Sequence, residues 1–284
     1  MENPYFTNTI HVKKIELNVS NLEDSVVFYQ DLLGFRVISQ DSTFVSLSAD
    51  GQNELIRLVS LSNPIPLDEK LGVYHFAIHL PSRKHLSMFL KHLIEQQIPI
   101  LGARDHVVTE AIYLQDPDGI GIEIFADKDG EGWNLDLRSI PMTNQPFDYS
   151  GVYYETTERE TYQRMPSETT IGHLHLMVPK LEEAIAFYTD ILGFQLTSKD
   201  FKEAAFVSDG NYHHHLALFT CDDQNHTYEN EIGLRAFTLE YPTCEKLIHA
   251  LETLKSHDIP IKETLQGYRV CTLEHRPVYL EIKH

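Results

Sequence analysis

NLEDSVVFYQDLLGFRVIS, residues 21–39, returns later in the chain as KLEEAIAFYTDILGFQLTS, residues 180–198. The two stretches align without gaps at a shift of 159 residues and share Leu-Glu, Phe-Tyr, Asp and Leu-Gly-Phe. Apolar residues recur at helical spacing in both copies, and Gly34 and Gly193 follow the last of them. The repeat therefore predicts two amphipathic helices that each end at a glycine.

A second pair of stretches repeats as well. GVYHFAIHLPS (72–82) resembles GLRAFTLEYPT (233–243) at a shift of 161 residues. Each predicted helix follows an alternating apolar segment that is typical of a strand, and shorter apolar segments follow it. The chain thus divides into four strand–helix–three-strand modules, named A, B, A′ and B′ in chain order. Long repeats in so few copies indicate paired modules that build curved sheets, an α+β fold of four βαβββ units.

The repeats also predict the domain boundaries. Residues 1–125 hold modules A and B, and residues 170–284 hold A′ and B′. Residues 126–169 form a connector that contains Trp133, the single tryptophan, and several tyrosines. These aromatic residues are candidates either to cover a substrate pocket or to pack over the junction between the halves.

Composition excludes several classes of partner. The formal net charge is −19, with 42 acidic and 23 basic side chains, which argues against nucleic acid or an anionic membrane as the main partner. The three cysteines are few and odd in number, which favours a reducing compartment. They form no Cys-x-x-Cys pair, which argues against a zinc-thiolate site. No apolar run is long enough to serve as a signal peptide or a membrane span. We therefore expect a soluble cytoplasmic protein.

The module pattern, with its helix motif LE-x-(S/A)-x-x-FY-x-D-x-LGF, resembles the vicinal oxygen chelate superfamily. That superfamily includes glyoxalase I, bleomycin-resistance proteins and extradiol ring-cleaving dioxygenases. The resemblance covers nearly the whole chain outside the connector. It implies two cup-shaped sheet domains whose metal ligands come from the first and last strands of paired modules. The fold by itself hosts several reactions, and some members have no catalytic activity.

The resemblance implies one complete set of metal ligands. The first strands of B and A′ carry His75 and His173 at the family's ligand position, and the last strand of B carries Glu123. Two histidines and one carboxylate suit non-haem Fe(II), with Mn(II) as an alternative. We therefore predict an active cup from B (71–125) and A′ (170–220), paired within one chain or across a dimer. The matching positions of A and B′ are expected to be metal-free; they are Lys14, Ala236 and Glu281.

Two further stretches resemble the extradiol dioxygenases. RDHVVTEAIYLQDPDGIGIEIF (104–125) holds His106, Tyr113, a Pro-containing turn and Glu123 in the family's order. Arg104 departs from the family's pattern, and we expect it either to reshape the pocket mouth or to admit a more acidic substrate. NYHHHLALF (211–219) resembles the strand that carries the second-sphere histidine, which places that role on His214. We expect solvated neighbours on either side of His214, because adjacent strand residues point to opposite faces.

These residues favour an extradiol dioxygenase that opens a catechol-type ring with O2. In that interpretation His214 accepts a substrate proton, Tyr113 donates a hydrogen bond, and His106 orients the substrate or relays the proton. One alternative is a glyoxalase-like isomerase or thiol transferase, which needs a fourth ligand from the last strand of A′. Another is a metal-free, drug-sequestering resistance protein. Long sheet edges make a homodimer plausible.

Overall fold

The computed structural model describes residues 4–66, 73–128, 145–201, 203–220, 230–272 and 276–283. The first half of the chain contributes nine strands: β1 (His11–Val19), β2 (Arg36–Gln40), β3 (Phe44–Ser48), β4 (Ile56–Ser60), β5 (Val73–His79), β6 (Gly102–Asp105), β7 (Thr109–Gln115), β8 (Gly121–Asp127) and β9 (Gln145–Pro146). The second half contributes eight: β10 (Thr170–Val178), β11 (Gln195–Phe201), β12 (Ala204–Ser208), β13 (Leu216–Thr220), β14 (Gly233–Tyr241), β15 (Lys262–Thr264), β16 (Gly267–Cys271) and β17 (Pro277–Ile282).

The strands form two sheets, and each sheet draws on both halves of the chain. The eight-stranded sheet has the order β15-β16-β17-β14-β1-β4-β3-β2 and combines modules A and B′. The nine-stranded sheet has the order β11-β12-β13-β10-β5-β8-β7-β6-β9 and combines modules B and A′. The first strands of the paired modules meet antiparallel at the centre of each sheet, β1 with β14 and β5 with β10. This mixed α+β architecture confirms the predicted fold class.

Each module contains its predicted helix. The helices are α1 (Pro4–Thr7), α2 (Leu22–Val26), α3 (Arg83–Glu95), α4 (Tyr149–Tyr153), α5 (Leu181–Ala186) and α6 (Cys244–Ser256). The repeated helices α2 and α5 continue as wider π-helices over Val27–Leu32 and Phe187–Ile191, a change of winding that their apolar spacing does not announce. Gly34 and Gly193 follow with φ of +83° and +91°, so both helices end at the predicted glycines.

The part of the connector described after residue 144 packs on the edge of the nine-stranded sheet and on α3. Strand β9 pairs with β6 at the edge of the nine-stranded sheet, and α4 packs against α3. Arg83 of α3 bonds the carbonyl oxygen of Gly151 and the carboxylate of Glu155. Residues 129–144, with Trp133, lie outside the described residues, so the predicted role of that tryptophan stays a prediction.

Apolar side chains of the sheets and helices form one large core cluster. It includes the residues of the predicted helical stripes, such as Tyr29, Leu33, Tyr188 and Leu192, all at most 1% exposed. Within the described residues, no helix is both long enough and apolar enough to span a bilayer.

Candidate active site

Strand pairing brings the three predicted metal ligands together. In the antiparallel pair of β5 and β10, His75 lies opposite His175, and Ala77 lies opposite His173. In the parallel pair of β5 and β8, Ala77 lies beside Glu123. Because side chains two residues apart on a strand share a face, these side chains project from the same side of the sheet.

The two imidazoles converge on one carboxylate oxygen. Oε2 of Glu123 lies 2.9 Å from Nε2 of His75 and 3.4 Å from Nε2 of His173. All three residues are at most 5% exposed. A buried carboxylate with two facing imidazole nitrogens is the donor set of a two-His, one-carboxylate iron centre, so the residues present fit a divalent metal.

The protonation states also suit metal binding. Burial lowers the pKa of His173 to about 4, although the charge of Glu123 opposes this shift, so its imidazole is neutral at pH 7. Burial by itself raises the pKa of Glu123, but the facing His173 and His75 outweigh that effect and hold it well below its usual range. A neutral imidazole and an ionised carboxylate are the forms that coordinate a cation.

A fourth side chain, which the sequence interpretation did not single out, joins this group. Ligand atoms of His75, His173 and His175 all lie within 4.8 Å of one another. The His75 and His175 rings are 3.9 Å apart between centroids, and burial lowers the pKa of His175 well below its ordinary value. The signal was present in the sequence, because His175 follows His173 by two residues on one strand face.

Tyr113 and His106 form a pair at the edge of the site. Tyr113 lies directly opposite Glu123 in the ladder of β7 and β8, and its ring centroid is 5.8 Å from that of His75. Its hydroxyl oxygen is 2.6 Å from Nε2 of His106. Burial lowers the pKa of His106, so this ring stays neutral to a lower pH than an ordinary histidine. The turn before β8 thus places the tyrosine beside the carboxylate, as the motif predicted.

The strand predicted over 211–219 is shorter than expected. Strand β13 begins at Leu216, because Gly210 and Asn211 take left-handed backbone conformations, with φ of +70° and +64°, and turn the chain before it. The alternation expected of a strand therefore does not apply to the three histidines that precede Leu216.

Those three histidines are all buried, so the prediction of solvated neighbours around His214 is wrong. His213, His214 and His215 are each at most 2% exposed. His214 lies in the site, with its ring 4.2 Å from that of His173 and its Nε2 atom 3.3 Å from Nε2 of His175. Nδ1 of His214 is 2.8 Å from Nδ1 of His213. Burial lowers the pKa of His214 well below its ordinary value.

A second acid–imidazole contact lies behind the site and was missed from the sequence. The side chain of Asp127, at the end of β8, is only 15% exposed. Its Oδ2 atom is 3.1 Å from Nε2 of His79, and its Oδ1 atom is 3.5 Å from Nε2 of His213. Since Asp127 shares a strand face with Glu123, and His79 shares one with His75, the period of two was an available signal.

Two small apolar clusters flank the histidines. One contains Ala77, Ala111 and Phe125 with Tyr113 packed against it. The other contains Ala204, Phe206 and Ala217 with Phe219 packed against it. The Phe206 ring is 5.1 Å from that of His214, and the Phe219 ring is 5.3 Å from that of His175. Alanines between aromatic rings suit a flat apolar ligand next to the imidazoles.

Arg104, the departure from the motif, lies on β6, next to the edge strand β9. It is exposed and pairs across the strands with Ala111, on the sheet face of Tyr113. Its Nη1 atom donates to the carbonyl oxygen of Ala103 at 2.9 Å. The expectation that it shapes the pocket mouth stays a prediction.

The eight-stranded sheet carries different residues at the matching positions. Lys14 forms an ion pair with Glu54 at 2.8 Å, and Ala236 occupies the position of His75. The prediction that Glu281 matches Glu123 is wrong, because β17 pairs with β14 in a register that sets Tyr279 beside Thr238. Thr238 corresponds to Ala77, so Tyr279 takes the carboxylate's place and Glu281 binds Lys13 instead.

Comparisons with known proteins agree with this architecture. Residues 11–124 and 170–270 match the sequence model of the Glyoxalase/Bleomycin resistance protein/Dioxygenase superfamily. A catechol-2,3-dioxygenase from Bacillus subtilis is 39% identical over 267 residues, which span 92% of this chain and 93% of that protein.

Solved structures of low identity share the fold. Glyoxalase I from Zea mays superposes with a TM-score of 0.57 at 15% identity, over 95% of this chain and 92% of that one. The cppA protein of Streptococcus pneumoniae superposes with a TM-score of 0.56 at 13% identity, over 97% of this chain and 100% of that one. At these identities the likeness concerns the fold alone.

Proposed function

Because the chain belongs to the Glyoxalase/Bleomycin resistance protein/Dioxygenase superfamily, we propose that it opens a catechol-type ring with O2 at an Fe(II) site. The observation that carries the proposal is the convergence of His75 and His173 on Oε2 of Glu123 inside the nine-stranded sheet. The prediction of an enzyme of the dioxygenase class is confirmed by the relative that matches along nearly the whole chain. The metal, the substrate and the role of each residue belong to the proposal.

Ferrous iron held by these three residues would offer open positions at which a diol and O2 are brought together. In the overall reaction, the carbon–carbon bond next to the diol breaks and both oxygen atoms of O2 enter the product. No other oxidant or reductant is needed. Mn(II) could occupy the same donor set.

The chain's own residues bind the ring and handle its protons. Phe206 and Phe219, beside the histidines, supply an apolar surface for a flat ring, and the neighbouring residues Ala204 and Ala217 are small. Nε2 of His214 accepts a proton from a substrate hydroxyl, because burial keeps this imidazole neutral. With its proton on Nε2, His106 donates to the Tyr113 oxygen and leaves the phenolic proton available for a substrate oxygen.

The glyoxalase-like alternative has less support at this site. It expects a carboxylate or amide ligand from the last strand of A′, but the residues of β13 are Leu216, Ala217, Leu218, Phe219 and Thr220. A metal-free resistance protein would leave the convergence of buried imidazoles on Glu123 without a purpose, since burying ionisable groups carries a free-energy cost. The cytoplasmic location, the homodimer and the expected lack of nucleic-acid and membrane partners stay predictions.

The test is a reconstitution without air. The protein is loaded with Fe(II), and absorbance and O2 uptake are followed after catechol and oxygen are added. We expect a yellow ring-opened product and one O2 consumed per ring opened. His75→Ala and Glu123→Ala should lose both the bound iron and the activity, because each removes one of three ligands.

Glu281→Ala is the matched control, since it removes a carboxylate from the other sheet and should keep both iron and activity. If the wild type binds iron but opens neither catechol nor alkylated catechols, the catechol-type substrate is wrong. If the wild type binds no iron, the dioxygenase proposal fails.

A further inference from the structure

The acid–imidazole contact behind the site is continuous with the proposed proton acceptor. Asp127 contacts His213 through Oδ1, and Nδ1 of His213 lies 2.8 Å from Nδ1 of His214. Nε2 of His214 in turn faces Nε2 of His175 at 3.3 Å. A row of buried polar groups therefore leads from Asp127, through His213 and His214, into the site.

Asp127 is itself held in place from two sides. Its Oδ2 atom contacts Nε2 of His79 at 3.1 Å, and the Tyr212 hydroxyl donates to Oδ1 at 3.2 Å. Phe6 packs beside this group, with ring centroids 5.4 Å from His79 and 5.2 Å from Tyr212. The Tyr212 hydroxyl, the facing imidazole of His79 and the packed ring of Phe6 hold the carboxylate in place, which is the arrangement expected of a group that orients another.

The donor and acceptor roles along this row follow from the carboxylate. An ionised carboxylate only accepts hydrogen bonds, so the ring nitrogen of His213 that faces it, Nε2, carries the proton. Nδ1 of His213 then carries a lone pair, and it accepts a hydrogen bond from Nδ1–H of His214. The remaining nitrogen of His214, Nε2, is left unprotonated on the side of the site.

We propose that Asp127 is a positioning residue that fixes, through His213, the tautomer and orientation of His214, so that Nε2 is the atom presented to the substrate. The benefit of this placement for catalysis rests on the proposed function. The assignment of the tautomer does not, because it follows from the contacts of the free protein. A carboxylate that selects the tautomer of a catalytic imidazole is an established device in enzymes.

The tautomer is measured first, on the metal-free wild type. With ¹⁵N-labelled histidine, the ring nitrogen shifts show which nitrogen carries the proton, and His214→Gln assigns the signals of His214. We expect the proton of His214 on Nδ1. In Asp127→Asn, whose uncharged amide can turn its N–H₂ group toward His213, we expect a substantial population with the proton on Nε2.

The kinetic consequence is measured on the iron-loaded protein. Asp127→Asn should lower kcat about 10- to 100-fold, the range typical of lost supporting hydrogen bonds, with KM for catechol and iron content within about twofold of wild type. Glu110→Gln is the matched control. Glu110 is also a buried carboxylate, but it pairs with Arg83 away from the histidines, so kcat should stay near the wild-type value.

Three results would overturn the proposal: a wild-type His214 with its proton on Nε2, an Asp127→Asn protein with unchanged tautomer and kcat, or an equal loss of kcat in Glu110→Gln. If the wild type opens no catechol, the proposed function fails, and the nitrogen shifts still decide whether Asp127 positions His214.

Discussion

Asp116 is a buried carboxyl in the turn that precedes the strand of Glu123. Its Oδ2 atom accepts from the Tyr29 hydroxyl at 3.1 Å, and its Oδ1 atom accepts from the backbone N–H of Ile120 at 2.8 Å. Burial raises the pKa of Asp116 to about 6, although these hydrogen bonds oppose the shift. The turn that supports the site therefore contains an acid that ionises near neutral pH.

This shift predicts a pH dependence of stability with a definite sign. A carboxyl whose folded pKa is raised stabilises the fold fully below its unfolded pKa, and the contribution is lost as pH rises through about 6. A shift of roughly two units corresponds to about 3 kcal/mol. We therefore expect wild type to lose up to about that much relative to Asp116→Asn between pH 4 and pH 8, measured by urea unfolding.

Asp50→Asn provides the control of opposite sign. Burial by itself raises the pKa of Asp50, but four hydrogen bonds, from Asn53, Gln52 and Ser48, together outweigh it and hold the pKa at about 2. The stability that Asp50 provides is lost only as pH falls toward that value, so Asp50→Asn should differ from wild type by a constant amount between pH 5 and pH 8. A constant difference for Asp116→Asn as well would contradict the raised pKa.

At the scale of residues, the sequence predicted groups that lie on one strand face at repeated positions. His75, His173 and Glu123 lie together, as the resemblance implied, and their role as ligands stays a prediction. Asp127 and the buried neighbours of His214 were missed, because a charged or polar residue near a strand end is usually solvated. Only the arrangement of several strands around Asp127 removes it from water.

At the scale of elements, the repeated helices show how one motif meets two environments. Gly34 and Gly193 occupy the same position after the π-helices and both have positive φ. A methyl group on Gly34 would lie 2.7 Å from the Cα atom of Arg164, near the end of the connector. The backbone N–H of Met165 also donates a hydrogen bond to the carbonyl oxygen of Gly34. A methyl group on Gly193 would meet Ile10 Cδ1 at 3.4 Å, an ordinary contact.

This difference predicts unequal effects of the same substitution. Gly193→Ala should cost about 1–2 kcal/mol, the cost of a side chain in the left-handed region. Gly34→Ala should cost roughly 1–3 kcal/mol more, because backbone atoms of the connector would have to move. The free energy of unfolding of both variants, measured in urea, checks this order. Equal losses would show that the connector adjusts without cost.

The sequence predicted where these helices begin and end but not how they wind. Apolar spacing and the terminal glycine are local signals, and both are confirmed by the structure. A π-helix bonds residues five apart where an α-helix bonds residues four apart. We attribute this wider winding to the packing of the last turn against the sheet. That packing involves residues far away in the chain, which a local period does not encode.

At the scale of the whole molecule, each sheet is made from both halves of the chain. The candidate site takes His75 and Glu123 from the first half and His173 from the second, across the antiparallel pair of β5 and β10. The other sheet joins the halves in the same way through β1 and β14. Neither half contains a complete sheet, so a stable fold requires both.

This topology predicts the behaviour of a split protein. Fragments 1–128 and 145–284, expressed separately, should each show weak far-ultraviolet circular dichroism and bind no Fe(II) above background, because the central strands lack their partners. Mixing the fragments should restore the spectrum and the iron binding together. The same experiment with Glu123→Ala in the first fragment should restore the spectrum alone. A folded, iron-binding single fragment would contradict the shared sheets.

Along the chain, modules B and A′ lie between modules A and B′. This arrangement sets the order in which the two sheets can form during protein synthesis. Every strand of the nine-stranded sheet lies between residues 73 and 220, so that sheet can close as soon as β13 has left the ribosome. Strands β1–β4 emerge before this sheet, yet they wait for β14–β17, which follow it in the chain. During that interval β1 is paired with β4 on one side only, and its other edge waits for β14. A chaperone that shields this edge would protect a molecule whose candidate site is already assembled.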